Sequence, residues 1–227
     1  MKIEICCNSI YSAFNAIKAG VGRIELCRDL PCGGLSPDME DVAFLCDTTP
    51  LEVRVLLRPR PGDFCYSDAE YERIRQEALL CKRLEAHAVV VGFLTKEGKI
   101  DMERTREIVE LVAPLQVTFH RAFDELSPAD APEALEKIIA CGCHKLLTSG
   151  CAPTALEGAD TIARLVQQSQ GRIGIIAASG VTPATAQDIV RRTGVSELHG
   201  SCKAPYGPIE LSDKEQVKSL IRLKFDN

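Results

Sequence analysis

The chain has 227 residues, of which 45% are hydrophobic, 26% charged and 5% aromatic. That is ordinary globular usage, enough for one sizeable core, and it excludes disordered and fibrous chains. A formal charge of −5 with no block of Lys or Arg leaves no footprint for nucleic acid or an acidic membrane, so small molecules or ions are the expected partners.

The opening MKIEICCNS runs directly into a strand-like segment without an apolar leader run. No stretch approaches the roughly 20 apolar residues that a membrane-spanning helix needs, so a soluble protein is expected. Eleven cysteines are spread over the whole chain. In an α/β domain of this size they read as reduced thiols of a cytoplasmic protein rather than as a disulfide framework.

Short β-branched or apolar runs alternate with longer amphipathic segments from end to end, the pattern of βα units in a parallel sheet. Strands are predicted at 3–7, 23–27, 52–58, 88–92, 115–120, 145–149, 172–177 and 196–201. The helices that follow them are predicted at about 10–19, 38–47, 68–86, 102–113, 130–141, 155–169, 183–193 and 213–222. Ser67, Asp101 and the pair Thr182–Pro183 are start signals, and Gly20, Gly142 and Gly194 are stop signals. No linker or low-complexity tract divides the chain, so a single domain over 1–227 is expected. Eight consecutive units favour closure into a (β/α)₈ TIM barrel over an open doubly wound sheet. The first strand is followed by Asn8-Ser9 rather than a glycine-rich turn, and no Walker-type loop occurs, so no nucleotide or other organic cofactor is expected.

Side chains alternate faces along a strand, so polar residues at every second position of a doubly covered strand mark the lumen. By this rule Glu4, Cys6, Glu25, Cys27, Arg54, Arg58, Thr118, His120, Glu197, His199 and Ser201 face inward. Glu4 and Arg54 lie deep, where an internal ion pair is the simplest account. Cys6, Glu25, Cys27, Arg58, His120, Ser149, His199 and Ser201 lie at the carboxyl ends of the strands, where barrel active sites are built. Loops add Arg60, Asp63, Arg121 and Asp124. Arg58, Arg60 and Arg121, with Ser149 and Ser201, would suit a small phosphate or carboxylate, because a guanidinium fork matches such anions. Glu25, His120, His199 and Asp124 are the candidate acid–base groups. His87 and His144 open strands at the opposite face, and Lys145 and Lys203 are poorly placed for a Schiff base.

Cysteine offers a second chemistry, since soft thiolates select Cu(I). Cys6 and Cys27 are expected at equivalent lumen positions on neighbouring strands, where two thiolates could hold one soft ion. Cys7, Cys46, Cys81, Cys141 and Cys143 face away and read as small buried hydrophobes. Cys32, Cys65, Cys151 and Cys202 are loop cysteines near the mouth whose spacing fits no metal motif.

The segments IEICCNS, RIELC with GGLSP, LLRPRPGDFCYSDAEY, VVGFLTKEGKIDMERT, PLQVTFHRAFD, LLTSG, SGVT and ELHGS, spread over roughly residues 2 to 202, resemble the copper homeostasis protein CutC family. The resemblance implies a (β/α)₈ barrel, a cytoplasmic location, a role in copper homeostasis with Cys6 and Cys27 as Cu(I) ligands, and self-association as a homodimer. The chain departs from the family pattern at Ala177-Ala178-Ser179-Gly180, at Asn8, and in the added Cys32 and Cys202. Two functions are therefore expected to compete: Cu(I) binding at the mouth, and an enzyme turning over a small anionic metabolite by Glu/His chemistry.

Overall fold

The computed structural model describes residues 1–225. Eight parallel strands close into a barrel in chain order: β1 (Lys2–Cys7), β2 (Arg23–Leu26), β3 (Glu52–Leu56), β4 (Ala88–Val91), β5 (Gln116–Phe119), β6 (Lys145–Thr148), β7 (Gly174–Ala178) and β8 (Glu197–Gly200). The helices α1 (Ile10–Ala19), α2 (Met39–Thr48), α3 (Asp68–Arg83), α4 (Met102–Val112), α5 (Ala131–Ala140), α6 (Ala159–Ser169), α7 (Ala186–Thr193) and α8 (Lys214–Ile221) cover its outside. Each predicted unit is present. Ser67 and Glu70 form a reciprocal cap at the start of α3, and the Asp101 carboxylate accepts from the Arg104 amide at the start of α4.

Three local expectations fail for identifiable reasons. The last helix pair of the barrel starts late: α7 begins at Ala186, because the Thr182 and Thr185 hydroxyls bond each other and the Thr182 amide donates to Thr185 Oγ1, closing a turn instead. Likewise residues 151–158 form turns before α6, with the Thr154 hydroxyl accepting from the Glu157 amide. The segment after β8 forms an unpredicted hairpin, β9 (Lys203–Tyr206) with β10 (Ile209–Ser212). Pro205 and Pro208 argue against a strand, but an isolated two-stranded ribbon tolerates proline at its edge. The hairpin is anchored on the first unit: Asn8 Nδ2 donates to the Glu210 carbonyl at 2.9 Å, Asn15 Nδ2 to the Ser212 carbonyl at 3.0 Å, and the Ser212 amide to Ser12 Oγ at 3.1 Å.

One apolar core fills the space between sheet and helices, with Ile5, Ile24, Val53, Val89, Val117 and Leu146 pointing outward from the strands. The lumen is different. Its amino-terminal half holds a layer of buried charge in which Glu4 Oε2 lies 2.8 Å from Arg23 Nε and 3.2 Å from Arg54 Nε. Glu197 pairs with Arg23 at 2.6 Å and with Lys145. Arg54 also donates to Thr118 Oγ1 and Gln116 Oε1, each at 3.0 Å. The expected Glu4–Arg54 pair is there, and Arg23 and Lys145, which strand parity did not single out because each opens its strand, complete the layer. His87 and His144 act structurally, each accepting on Nδ1 from the amide of Val53 or Val117 in the neighbouring strand.

Breaking a buried ion pair by removing one partner strands the other charge. Arg23 serves two carboxylates, so Arg23→Met is expected to lower unfolding free energy by about 3–5 kcal/mol, read from guanidinium denaturation. A loss under 1 kcal/mol would show that the remaining cations suffice.

Candidate functional site

A cavity of about 870 Å³ opens at the carboxyl ends of the strands. Cys6 and Glu25 reach it from β1 and β2, and His199 from β8; Arg58, His120, Arg121, Asp124 and Ser201 border it from the loops that follow. Cys32, Cys151 and Cys202 also line it. Cys151, Ser179 and Cys202 hold left-handed backbone, with φ of +57°, +75° and +45°. Such conformations are costly for residues with a side chain and gather where a site over-determines them.

Cys6 and Cys27 meet as expected, with their sulfurs 3.7 Å apart. Their ladder relation is not the expected one, however. Cys6 stands opposite Glu25, and Cys27 lies beyond the paired residues, its amide donating to the Cys7 carbonyl. The reason is the stagger between neighbouring strands that barrel closure imposes. The stagger brings Glu25 Oε1 to 3.9 Å from Cys6 Sγ. His199 arrives from the other side, and ligand atoms of Cys6, Glu25 and His199 all lie within 4.8 Å of one another. Glu4 reaches up from the charge layer to hold His199 Nδ1 at 2.7 Å. The signal for that contact was present in the sequence, since Glu4 and His199 share the lumen face and closure makes the first and last strands neighbours.

Electrostatics separate the groups of this cluster. Burial works against ionising Glu4, but the hydrogen bond and charge of His199, with Arg23 and Arg54 behind, hold its carboxyl down at about 2. Burial also opposes charge on His199, yet the Glu25 carboxylate and the hydrogen bonds to Cys6 and Glu4 push it well above the ordinary histidine value. Glu25 is pushed up to about 7, chiefly by burial, and its Oε2 has no hydrogen-bond partner. The Cys6 thiol is pushed well up by its hydrogen bond with Cys27 and by burial.

The other predicted groups are mostly committed elsewhere. His120 accepts on Nδ1 from the Ala122 amide at 3.1 Å, and its Nε2 has no partner. Burial and the nearby Arg58 and Arg121 bring it down to about 3, so it is neutral with its proton on Nε2. The ring lies so close to β4 that a Cβ at position 92 would sit 2.3 Å from Nδ1, which accounts for Gly92. Asp124 is not a free base: it accepts from the Ser149 amide at 2.9 Å, the Ser149 hydroxyl at 2.9 Å, the Cys151 amide at 3.2 Å and Arg121 Nε at 2.9 Å. Ser149 is fully buried behind the cavity wall. Arg58 donates to the carbonyls of Cys32, Gly34 and Gly62. Arg60 lies off the cavity in ion pairs with Asp63 at 2.9 Å and Glu70 at 2.6 Å. The expected three-arginine anion site is therefore reduced to two arginines, both already engaged in holding loops. Cys65 also lies off the cavity, its amide donating to Asp63.

Closed eight-unit barrel and polar, thiol-bearing mouth together define a (β/α)₈ protein with a candidate metal centre at the carboxyl end. Residues 1–204 match the family model of the CutC family, and the chain belongs to that family. A family protein CutC from Vibrio vulnificus is 43% identical over 205 residues, covering 89% of this chain and 81% of its own. The human copper homeostasis protein cutC homolog is 40% identical over 202 residues, covering 89% and 73%. The solved structure of CutC from Streptococcus agalactiae superposes with a TM-score of 0.83 at 30% identity, covering 88% of this chain and 98% of the other. Thiamine phosphate pyrophosphorylase from Pyrococcus furiosus, at 15% identity and a TM-score of 0.65, shares the fold alone. No helix among the described residues is long and apolar enough to cross a membrane.

Glu25 supplies a pH test of this geometry. A carboxyl that holds its proton in the folded state up to about 7 but releases it near 4.5 when unfolded makes stability fall as pH rises through that window. Glu25→Gln removes the penalty, so it is expected to stabilise the protein by roughly 1–3 kcal/mol at pH 8 and to have little effect at pH 4. Denaturant melts at the two pH values check it, and equal effects at both would contradict the assigned environment.

Proposed function

We propose that this chain is a cytoplasmic copper homeostasis protein that binds Cu(I) between the thiolates of Cys6 and Cys27. One observation carries the reading: two buried thiols, Cys6 on the cavity wall and Cys27 beside it, have their sulfurs 3.7 Å apart. With metal–sulfur bonds of roughly 2.3 Å, two sulfurs share one ion at any separation below roughly 4.6 Å, so no backbone motion is needed. Soft sulfur donors in an apolar surround favour Cu(I) over harder ions, and Leu56, Val90 and Leu30 pack around this pair. The positive charge on His199 favours the thiolate form of Cys6 on its other side. All eleven cysteines are unpaired, in keeping with a reducing compartment. The names carried by the human and mouse relatives point the same way.

The family resemblance extends the proposal to a homodimer, for which exposed Tyr11, Tyr206 and Ile209 offer apolar surface. Light scattering at twice the chain mass is the expected result.

Competition for Cu(I) against a coloured chelator tests the ligands. The Cys6→Ser, Cys27→Ser double variant is expected to lose more than a hundredfold in affinity, beyond the roughly 10–100-fold that loss of an outer-shell partner costs. Wild-type affinity in that variant would overturn the assignment.

A further inference from the structure

Beside the dithiol pair, the same wall of the cavity carries a different set of donors. Cys6 contributes sulfur, Glu25 oxygen and His199 nitrogen, all buried, with the three ligand atoms within 4.8 Å of one another. We propose that Cys6, Glu25 and His199 form a second metal site, for a zinc-type divalent ion, which overlaps the Cu(I) pair by sharing Cys6. The proposal rests on the copper reading only through that shared residue.

Three independent features support it. First, the donor set is mixed. A carboxylate is a poor ligand for Cu(I), whereas zinc takes thiolate, imidazole and carboxylate together in tetrahedral sites. Around such an ion neighbouring donors stand roughly 3.5 Å apart. Cys6 Sγ and Glu25 Oε1 are already at 3.9 Å, so small side-chain rotations close the set.

Second, His199 is oriented as a metal ligand. Its Nδ1 is held by Glu4 Oε1 at 2.7 Å, which leaves Nε2 as the nitrogen free for an ion. A carboxylate behind the histidine is the usual outer shell of a zinc site, fixing tautomer and ring plane. Glu4 is in turn fixed by Arg23 and Arg54, so the ring is positioned by the rigid lower layer rather than by a loop.

Third, Glu25 lacks what a cation would provide. Its Oε2 is buried with no partner, in a protein where Asp124 collects five donors. A dication beside it removes the cost of burying the carboxylate. Binding expels the protons that the ligands carry, those of the Cys6 thiol and His199 Nε2 among them. The three ligands leave a fourth position, which opens toward the cavity that His199, Glu25 and Cys6 line. A zinc site with three protein ligands and one open position is the arrangement that binds and polarises an exchangeable ligand.

Because both sites need Cys6, the two metals exclude each other, and this separates the outcomes. Purified reduced protein is titrated with zinc against a chelator, with cobalt as a spectroscopic probe of thiolate ligation, and with Cu(I) in parallel. Wild type is expected to bind one zinc per chain, to show a sulfur-to-cobalt charge-transfer band, and to release zinc when Cu(I) is added. Glu25→Gln is expected to weaken zinc at least about tenfold and to leave Cu(I) affinity within about threefold; His199→Asn is expected to weaken zinc at least as much and Cu(I) less, since its charge also favours the Cys6 thiolate, and Cys27→Ser is expected to weaken Cu(I) and spare zinc. Asn at position 199 keeps a donor for Glu4. If that variant fails to fold, Glu25→Gln, expected to gain stability at neutral and higher pH, carries the test. Zinc held together with Cu(I), zinc affinity unmoved by both variants, or no zinc binding in wild type would each overturn the second site. Loss of the Cu(I) result alone, with zinc behaving as stated, would leave this site standing and remove the copper reading.

Discussion

The lumen of this barrel is organised around one carboxylate. Glu4 forms ion pairs with Arg23 and Arg54 through one oxygen and a hydrogen bond with His199 through the other, and all four side chains are buried. A lone ionised carboxylate in that place would be expelled from the fold or would take up a proton. His199 and the two guanidinium groups keep it charged, and the imidazole is kept charged in turn by the Glu25 carboxylate and by hydrogen bonds to Cys6 and Glu4. Through His199 the arrangement reaches the mouth, where Glu25 and Cys6 sit within range of that imidazolium. The chemistry of the upper half of the lumen is therefore set by ion pairs in the lower half.

The walls of the mouth are held by a separate network. Asp124, in a short 3₁₀ turn after β5 (Arg121–Glu125), gathers the backbone of the loop after β6, and Arg58 gathers carbonyls from the loops after β2 and β3. In the sequence Asp124 reads as an acid–base group and Arg58 as an anion ligand. In the structure both brace loops against one another. Glu25 Oε2 and His120 Nε2, by contrast, are buried without a hydrogen-bond partner, on lumen residues on or just beyond the strands.

How far the sequence could be read follows from what each signal depends on. Strand and helix alternation is local and survives as the eight units; the helix starts at α6 and α7 are displaced by turns, as at Thr182 and Thr185. Lumen parity is also local, and it found Glu4, Cys6, Glu25, Cys27, Arg54 and His199. Register is not local. It depends on the stagger of the closed barrel, so the opposition of Cys6 to Glu25 could not be read from strand ends alone. Arg23 and Lys145 escaped because a charged residue opening a strand is indistinguishable from a solvent-facing one until its side chain is seen to turn inward. Whether an arginine is free or braced depends on loop carbonyls, which no residue pattern announces.

The hairpin that follows β8 gives the chain an order of assembly. Ser12 is buried on α1, and its hydroxyl accepts from an amide 200 residues later, while Asn8 and Asn15 bind carbonyls 202 and 197 residues later. Contacts of such separation are the slowest to form, since the whole intervening loop must first be closed. During synthesis the first βα unit therefore leaves the ribosome with its polar groups unmet and no β8 to pair with β1. It remains an unfinished edge until β8 and the hairpin have been made, so closure of the ring and its clasp both wait on residues 197–212.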